Sequence, residues 1–428
     1  MKKKIIITVL TIIPNLLHTK DISHFFRATP FFGEARFEQK GLTTFDIQCA
    51  YGTTKHARVN QRSTSYQPLW DIYGLSNMQQ LGVGVPNKDL SNPLDLLLMQ
   101  LELEPGRTVD TGCGIEEWAT YSIDGRFRVI DAYASTVYNI TKHFFLEVDL
   151  PIRAFFFNET NFNDISPTDS ITPNNNTPVW QAFKLSFDAI LKRYNLSREN
   201  NTQIGCGDLS VAAGYTYSYQ ETTVLDFVDL TFKIGILAPT GKKRNEDHIF
   251  SLAMGNNGHV GFQGSFDIGF GAYEWLTMGA HIDGVGFLDR TACVRIKTGP
   301  EQTGMVYLAK EKSDLQRGTI LNGGVYLKAD HVAKGLSATV GYCMTQQNSS
   351  SVVPCNSNFS PTVASSNHSL QGWRMHTIQT SIEYDFSKKE SMKGFYLSFF
   401  YNAQVGGVRT FKTNMAGGEC GFNGIWAF

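Results

Sequence analysis

The chain has 428 residues, a formal net charge of −1 and only 18% charged residues, with 39 Gly, 30 Phe and 17 Tyr. The near-neutral balance and the lack of a basic stripe exclude a nucleic-acid binder and any partner held by bulk charge. Glycine together with aromatics favours strands and turns over helices.

Residues 1–28 read as a signal peptide, with Lys2, Lys3 and Lys4 ahead of the apolar run Ile5 to Leu17. That run is too short for a transmembrane helix. No A-x-A triplet follows it, so Thr19 and Ala28 are the cleavage candidates, and a buried N-terminal strand or helix is the structural alternative. Residues 29–428 then form the mature unit. No apolar run long enough for a membrane-crossing helix follows.

From Phe45 onward the dominant signal is period two. Phe45, Ile47, Cys49 and Tyr51 oppose Asp46, Gln48 and Ala50. Between Tyr121 and Val137 the phase is disturbed, because Asp131 falls on the face of Phe127, Val129 and Tyr133; a β-bulge or a shifted register would account for it. From His143 to Phe157, Phe144, Leu146, Val148, Leu150, Ile152 and Phe156 oppose Glu147, Asp149 and Arg153. Alternation recurs after Asp208, over Val228–Ile236, Phe262–Phe270, Leu276–Ile282, Asn322–Lys328, Leu336–Met344, Ile378–Phe386 and Phe395–Val405, and in the last residues, for twelve candidate strands.

Long and short connections alternate between these segments. This pattern, with an even strand count, predicts an all-β, single closed antiparallel transmembrane barrel of about 12 strands, with long extracellular loops and short periplasmic turns. A β-sandwich also alternates, but it gives no reason for loops of alternating length. In lipid every backbone polar group must be paired, so the first and last strands must meet. Cys49 and Cys420 are then expected on the outer face near the top of that seam, either close enough to bridge or, more simply, as small apolar residues facing lipid. The seven cysteines form no C-x-x-C, and their odd number leaves at least one unpaired. Trp373, Tyr384, Phe386, Phe395, Tyr217, Tyr219, Trp275 and Trp426 stand at strand ends, where interfacial girdles belong.

The chain closes on Gly418-Glu-Cys-Gly-Phe-Asn-Gly-Ile-Trp-Ala-Phe428. This tail resembles that of Gram-negative outer-membrane β-barrel proteins, whose last strand ends on an aromatic residue. The resemblance implies that Phe422, Trp426 and Phe428 are the mark read by the barrel-assembly machinery, with Cys420 and Gly424 as weaker matches. The stretch Gly205-Cys-Gly-Asp-Leu-Ser210 through Ala238-Pro-Thr-Gly241 resembles hydrophobic-compound uptake barrels such as the phenol meta-degradation family, where "GxGDL" opens a strand and "PTG" ends the next. It implies no binding residue.

Charges facing hydrocarbon cost about 2–4 kcal/mol at the midplane, so the charged members of the alternating set are expected inward. They are Glu147, Asp149, Arg153, Asp208, Asp229, Lys233, Asp267, His281, Asp283, Lys328, Asp330, Glu383 and Asp385. They brace the interior, line a slightly acidic pore that favours cations or neutral solutes, or do both. Trp180, Phe183, Phe187, Ile190, Leu191 and Tyr194 have helical spacing and predict an amphipathic loop helix near 179–195, as a cap on the mouth or packed on other loops. The first long loop, with "PLWDIYGL" and "LDLLLMQLELEPG", is large enough to plug the lumen.

The expected function is an outer-membrane channel for passive passage or uptake of small solutes. The alternatives are a surface structural or adhesin barrel plugged by its loops, and a barrel-embedded lipid hydrolase. For the last, outward-facing His376 has no serine plainly paired with it, and H-E-x-x-H, G-x-S-x-G and the P-loop are absent. No enzyme activity, cofactor or metal is expected. The expected partners are outer-membrane lipid, the assembly machinery and a small solute, in the outer membrane of a bacterial cell.

Overall fold

The computed structural model describes residues 40–59, 67–104, 119–166, 177–220, 225–272, 275–333, 335–386 and 394–425. The proposed signal peptide, Cys113, Trp426 and Phe428 lie outside them.

The barrel strands are β1 (Leu42–Thr54), β2 (Thr120–Asn139), β3 (Phe144–Asp164), β4 (Leu209–Gln220), β5 (Phe227–Ala238) and β6 (Gly261–Ala272). They continue as β7 (Leu276–Phe287), β8 (Ile320–Ala333), β9 (Leu336–Gln347), β10 (Trp373–Asp385), β11 (Gly394–Val408) and β12 (Asn414–Ile425). Each pairs antiparallel with the next, and β1 pairs with both β2 and β12, closing a twelve-stranded ring. The seam runs from Leu42 opposite Ile425 to Thr53 opposite Asn414. Closure leaves no strand edge unpaired, the condition hydrocarbon imposes.

The outer wall carries the apolar phase. Ile47, Ile130, Leu146, Val211, Ile234, Phe266, Ile282, Leu327, Val340, Ile382, Phe399 and Phe422 are all exposed, one from each strand in turn. No second layer covers them, which in a water-soluble protein would be an untenable surface. Tyr217, Tyr219, Trp275, Tyr384, Phe386 and Phe395 are exposed at the short-turn end and form the girdle there. Trp373, expected in that set, instead points inward, and its Nε1 donates to Gln347 Oε1 at 2.9 Å. Trp373 opens β10 at the loop end, where the inner wall is apolar, so its phase belongs to the interior.

Inner-face aromatics lie against glycines. A Cβ on Gly214 would sit 2.1 Å from the Phe145 ring, and one on Gly279 would sit 2.4 Å from Tyr326. Both glycines stand directly opposite those aromatics on the neighbouring strand. The rings therefore lie flat along the wall instead of crossing the lumen.

The disturbed phase of β2 has a structural cause. The register shifts between Asp124 and Arg126, and below that point Phe127, Val129 and Asp131 all point inward and are buried. Sequence periodicity assumes a polar inner face, yet here the loop end of the barrel interior is an apolar core. Cys49 stands opposite Gly418 and Cys420 opposite Ile47. They are diagonal neighbours, typically about 7–8 Å apart in a sheet, and both are free thiols.

The described parts of six connections at the end opposite the short turns form the cap: L1 (within 55–119), L2 (within 165–208), L3 (239–260), L4 (288–319), L5 (348–372) and L6 (409–413). They hold helices α1 (Pro93–Leu103), α2 (Pro178–Arg193) and α3 (Pro361–Ser365), and a small sheet of Arg290–Arg295, Lys310–Gln316 and Ser351–Pro354. Helix α2 starts where Thr177 Oγ1 accepts from Trp180 N at 3.2 Å with Pro178 in its first turn, and ends with Lys192 and Arg193 in the last. Each device suits that end of a helix dipole. Its buried stripe is Trp180, Phe183, Phe187, Ile190 and Leu191. Among the described residues no helix is long and apolar enough to cross a membrane.

Candidate functional site: the lumen and its loop cap

At the turn end the barrel interior is polar. Glu147, Asp149, Asp229, Asp267 and His281 are buried on the inner wall, and Lys233, Asp283, Lys328, Asp330, Glu383 and Asp385 are half-buried there. They form local groups. Lys233 Nζ lies 3.4 Å from Glu147, and Lys328 Nζ lies 3.5 Å from Asp330 and 3.8 Å from Glu383. Asn322 Nδ2 donates to Asp283 at 2.9 Å and stands 3.3 Å from His281 Nε2.

A further group sits across the seam. Tyr396 Oη donates to Asp46 and, at 3.2 Å, to Glu419. Gln48 and Ser398 also donate to Glu419, at 3.4 and 3.3 Å. Asp46 and Glu419 were absent from the sequence-derived set. Asp46 had a legible signal in its place between outward Phe45 and Ile47, whereas Glu419 is hidden among glycines that carry no phase.

Asp208 has a different task. The chain from Asn201 to Gln220 runs alongside β3 in two pieces, broken at Gly207 and Asp208. The Asp208 carboxylate accepts from Gly241 N at 2.8 Å and from Asn256 N. Thr240 Oγ1 accepts from Leu209 N at 2.9 Å and donates to Gly207 O at 3.1 Å. The "GxGDL" and "PTG" strings are thus two halves of one clamp that folds L3 into the barrel. A Cβ on Gly207 would meet Pro151 at 2.6 Å and the Met254 carbonyl at 2.9 Å, so the clamp closes only over glycine.

Arg153 completes the attachment. Its Nε donates to Asp131 at 3.0 Å and its Nη1 to the Met254 carbonyl at 2.6 Å. Gln203 adds a donor to Ser251 Oγ at 2.7 Å and an acceptor for Leu252 N at 2.9 Å. The buried L3 segment Leu252–Ala253–Met254 is thereby held inside the ring, at the boundary between polar lumen and apolar cap.

Above it the cap is aromatic. Trp70 of L1 packs at 5.2 Å on Phe157 of β3, 5.2 Å on Phe250 of L3 and 5.3 Å on Phe411 of L6. Trp180 of α2 stacks on Phe183 at 5.2 Å. Each fully buried aromatic contributes about 1.5–3 kcal/mol, and the cap forms one continuous hydrophobic core with Phe127, Phe155 and Phe157 of the barrel wall. Asp95 of α1 joins it to α2, accepting from Tyr194 Oη at 2.9 Å and Arg193 Nη2 at 3.3 Å. Its carboxyl stays below the usual range: burial alone would raise it, and the hydrogen bond from Asp89 N at 2.8 Å, then those from Tyr194 and Arg193, outweigh that.

Within the cap lies a cavity of about 120 Å³ between L1, L3, L4 and L5, lined by Trp70, Tyr73, His248, His259, Arg244, Met305 and Tyr307 among others. It is roomy enough for several waters or one small molecule. Burial pushes the Tyr307 hydroxyl up, out of any titrating role. Burial also pushes His259 down to about 4, with Arg317 and Arg290 adding to the effect. Because the folded-state pKa is depressed, the cap binds fewer protons than the opened cap between pH 4 and 6.5. Stability is fully present above about 6.5 and lost as pH falls toward 4, by at most about 3 kcal/mol. Loop proteolysis is expected to accelerate over that window, and His259→Gln is expected to flatten the dependence.

His376 projects from the outer wall, its Nδ1 2.6 Å from Tyr342 Oη. No cluster of His, Cys, Asp and Glu among the described residues is arranged to hold a metal.

No protein-family model matches this chain, and no curated protein matches it. Solved structures do. The COG4313 outer membrane channel from Pseudomonas putida F1 aligns over 93% of this chain and 100% of its own, with 11% identity and a TM-score of 0.50. A Pseudomonas aeruginosa FadL homologue aligns over 96% and 98%, with 9% identity and a TM-score of 0.31. The Ralstonia pickettii toluene transporter TbuX aligns over 90% and 88%, with 8% identity and a TM-score of 0.31. The first likeness is one of fold. The fold is that of a Gram-negative outer-membrane β-barrel. This chain has that fold, a closed twelve-stranded barrel with an exposed apolar outer wall and its mouth covered by packed loops.

Proposed function

We propose that the protein is an uptake channel for small solutes, passive and selective against anions. The carrying observation is the inner wall. Eight strands already enclose just enough room for side chains, so a ring of twelve leaves space, and the wall around that space is polar. Acids exceed bases there: Asp46, Asp131, Glu147, Asp149, Asp229, Asp267, Asp283, Asp330, Glu383, Asp385 and Glu419 stand against Arg153, Lys233 and Lys328. Such a surplus draws cations and tolerates neutral solutes. The cavity in the cap, whose walls mix apolar side chains with charged and amide groups such as Arg244, Glu246, Asn257 and Arg317, supports a waiting place for a polar solute ahead of L3. The COG4313 outer membrane channel, which shares the fold, favours transport over catalysis as the reading.

Single-channel recording in planar bilayers tests this. In a salt gradient the reversal potential is expected to take the sign of cation preference. The double substitution Asp229→Asn with Asp267→Asn is expected to cut the cation-to-anion permeability ratio several-fold. A ratio unmoved by that change would remove the lumen acids from the mechanism. The packed aromatic cap favours a second reading, a surface structural or adhesin barrel sealed by its loops. Silence at every voltage, in wild type and in a cap-opened variant alike, would select it.

A further inference from the structure

The wall formed by β1, β2 and β3 ends, on the loop side, in a change of surface. Going outward, the exposed apolar side chains Tyr51, Ile130 and Ile152 give way to Lys55, Arg126 and Arg128. The register brings these together. Tyr51 stands opposite Ile130 and Thr53 opposite Arg128, so Lys55, two residues further on, reaches the level of Arg126. Arg128 stands opposite Phe156, and Arg126 opposite Asn158.

A single carboxylate lies among them. Glu159 receives Lys55 Nζ at 2.7 Å and Arg126 Nη1 at 3.1 Å. The hydrogen bond from Lys55, then the charges of Arg126, Lys55 and Arg128, hold its carboxyl below the ordinary value. Its backbone sits in the left-handed region, at φ 56°, where a residue without glycine's freedom is uncommon. Arg128 lies 5.9 Å over the Phe156 ring, and its buried Nε donates to no described acceptor. One carboxylate cannot neutralise these cations, so the patch keeps a positive surplus. That surplus sits directly above side chains that face hydrocarbon, at the depth where headgroups of the outer leaflet lie.

We propose that Lys55, Arg126 and Arg128 form a binding site for the phosphate groups of a phosphorylated glycolipid in the outer leaflet. Arginine suits this task because its planar fork pairs with two phosphate oxygens, while lysine adds a point charge. Glu159 holds the cations in place and weakens the site's charge, so its removal acts in the opposite sense from removal of a cation. The continuity of patch and lipid-facing belt commits the site to a lipid, not to free phosphate, because only a lipid presents phosphate and acyl chains at these two levels at once.

The test is native mass spectrometry of the full chain in detergent, titrated with diphosphorylated lipid A, with the same lipid stripped of its phosphates, and with inorganic phosphate. The diphosphorylated lipid is expected to bind, and the variant K55Q/R126Q/R128Q to bind it at least about tenfold more weakly. Glu159→Gln is expected to bind it more tightly than wild type. Folding of each variant is read from its heat-modifiable gel mobility, and no current is measured, so the result is independent of the channel reading. A folded triple variant that binds as wild type does would overturn the site. Equal binding of the stripped lipid would overturn it too, as would inorganic phosphate that binds as tightly as the lipid.

Discussion

Arg295→Met is expected to unfasten the cap while leaving the barrel folded. Arg295 of L4 is buried, and its guanidinium donates to Glu246 O at 2.6 Å, Leu308 O at 2.8 Å, and Tyr194 O and Asn195 O at 2.9 Å each, with Asp247 Oδ1 at 3.2 Å. It therefore joins the C-terminus of α2, L3 and L4 through one side chain. The carbonyls after α2 carry the negative end of the helix dipole, which favours a cation there. Burial works against the charge, lowering the Arg295 pKa, and the Asp247 and Glu246 carboxylates offset that. Methionine keeps much of the stem's volume and deletes every donor. Apart from the exposed Asn195 carbonyl, each carbonyl left unpaired is part-buried, and a fully buried one costs about 1–3 kcal/mol. A loss of about 3 kcal/mol in the cap raises its open population roughly a hundredfold. Hydrogen exchange at the α2 amides reads this directly, and single-channel records are expected to show longer openings. Exchange at the wild-type rate would mean that the aromatic core alone holds the cap.

The strands were legible because lipid makes a strict demand. Every second residue on the outer wall meets hydrocarbon, so Leu146, Val148 and Ile152 announce β3 without reference to anything distant in the chain. Helix α2 was legible for the parallel reason that its stripe is periodic. The cap core was not. Phe127, Phe155 and Phe157 occupy the phase that elsewhere is polar, and only the arrival of Trp70, Phe250 and Phe411 from separate loops makes that burial favourable. No local pattern records such a meeting. The same holds for Asp208: its position at the start of a polar phase suggested a lumen-facing charge, and its carboxylate is instead consumed by the backbone of L3. The charge of a residue is read from sequence, but whether water or backbone satisfies it depends on loop residues 33 and 48 positions away.

The Asp131–Arg153 pair offers the sharper test of how L3 is held. Both side chains are 3% exposed, and Arg153 divides its donors between the wall and the Met254 carbonyl. Arg153→Met leaves Asp131 as a buried charge without its cation and frees the L3 carbonyl, an arrangement that costs about 3–5 kcal/mol. Asp131→Leu combined with Arg153→Met removes both charges, and replacement of a buried ion pair by packed apolar groups is often neutral. The double variant is therefore expected to regain much of the stability lost by the single one, as read by urea unfolding in lipid bilayers. Conductance separates the two roles of Arg153. If Met254 narrows the lumen because Arg153 holds its carbonyl, both variants pass more current than wild type, since neither restores that donor. Stability should then follow the charge balance and conductance the tether, and a double variant that recovers both would show that the stranded Asp131 charge of the single variant, not the lost hydrogen bond to L3, had widened the passage.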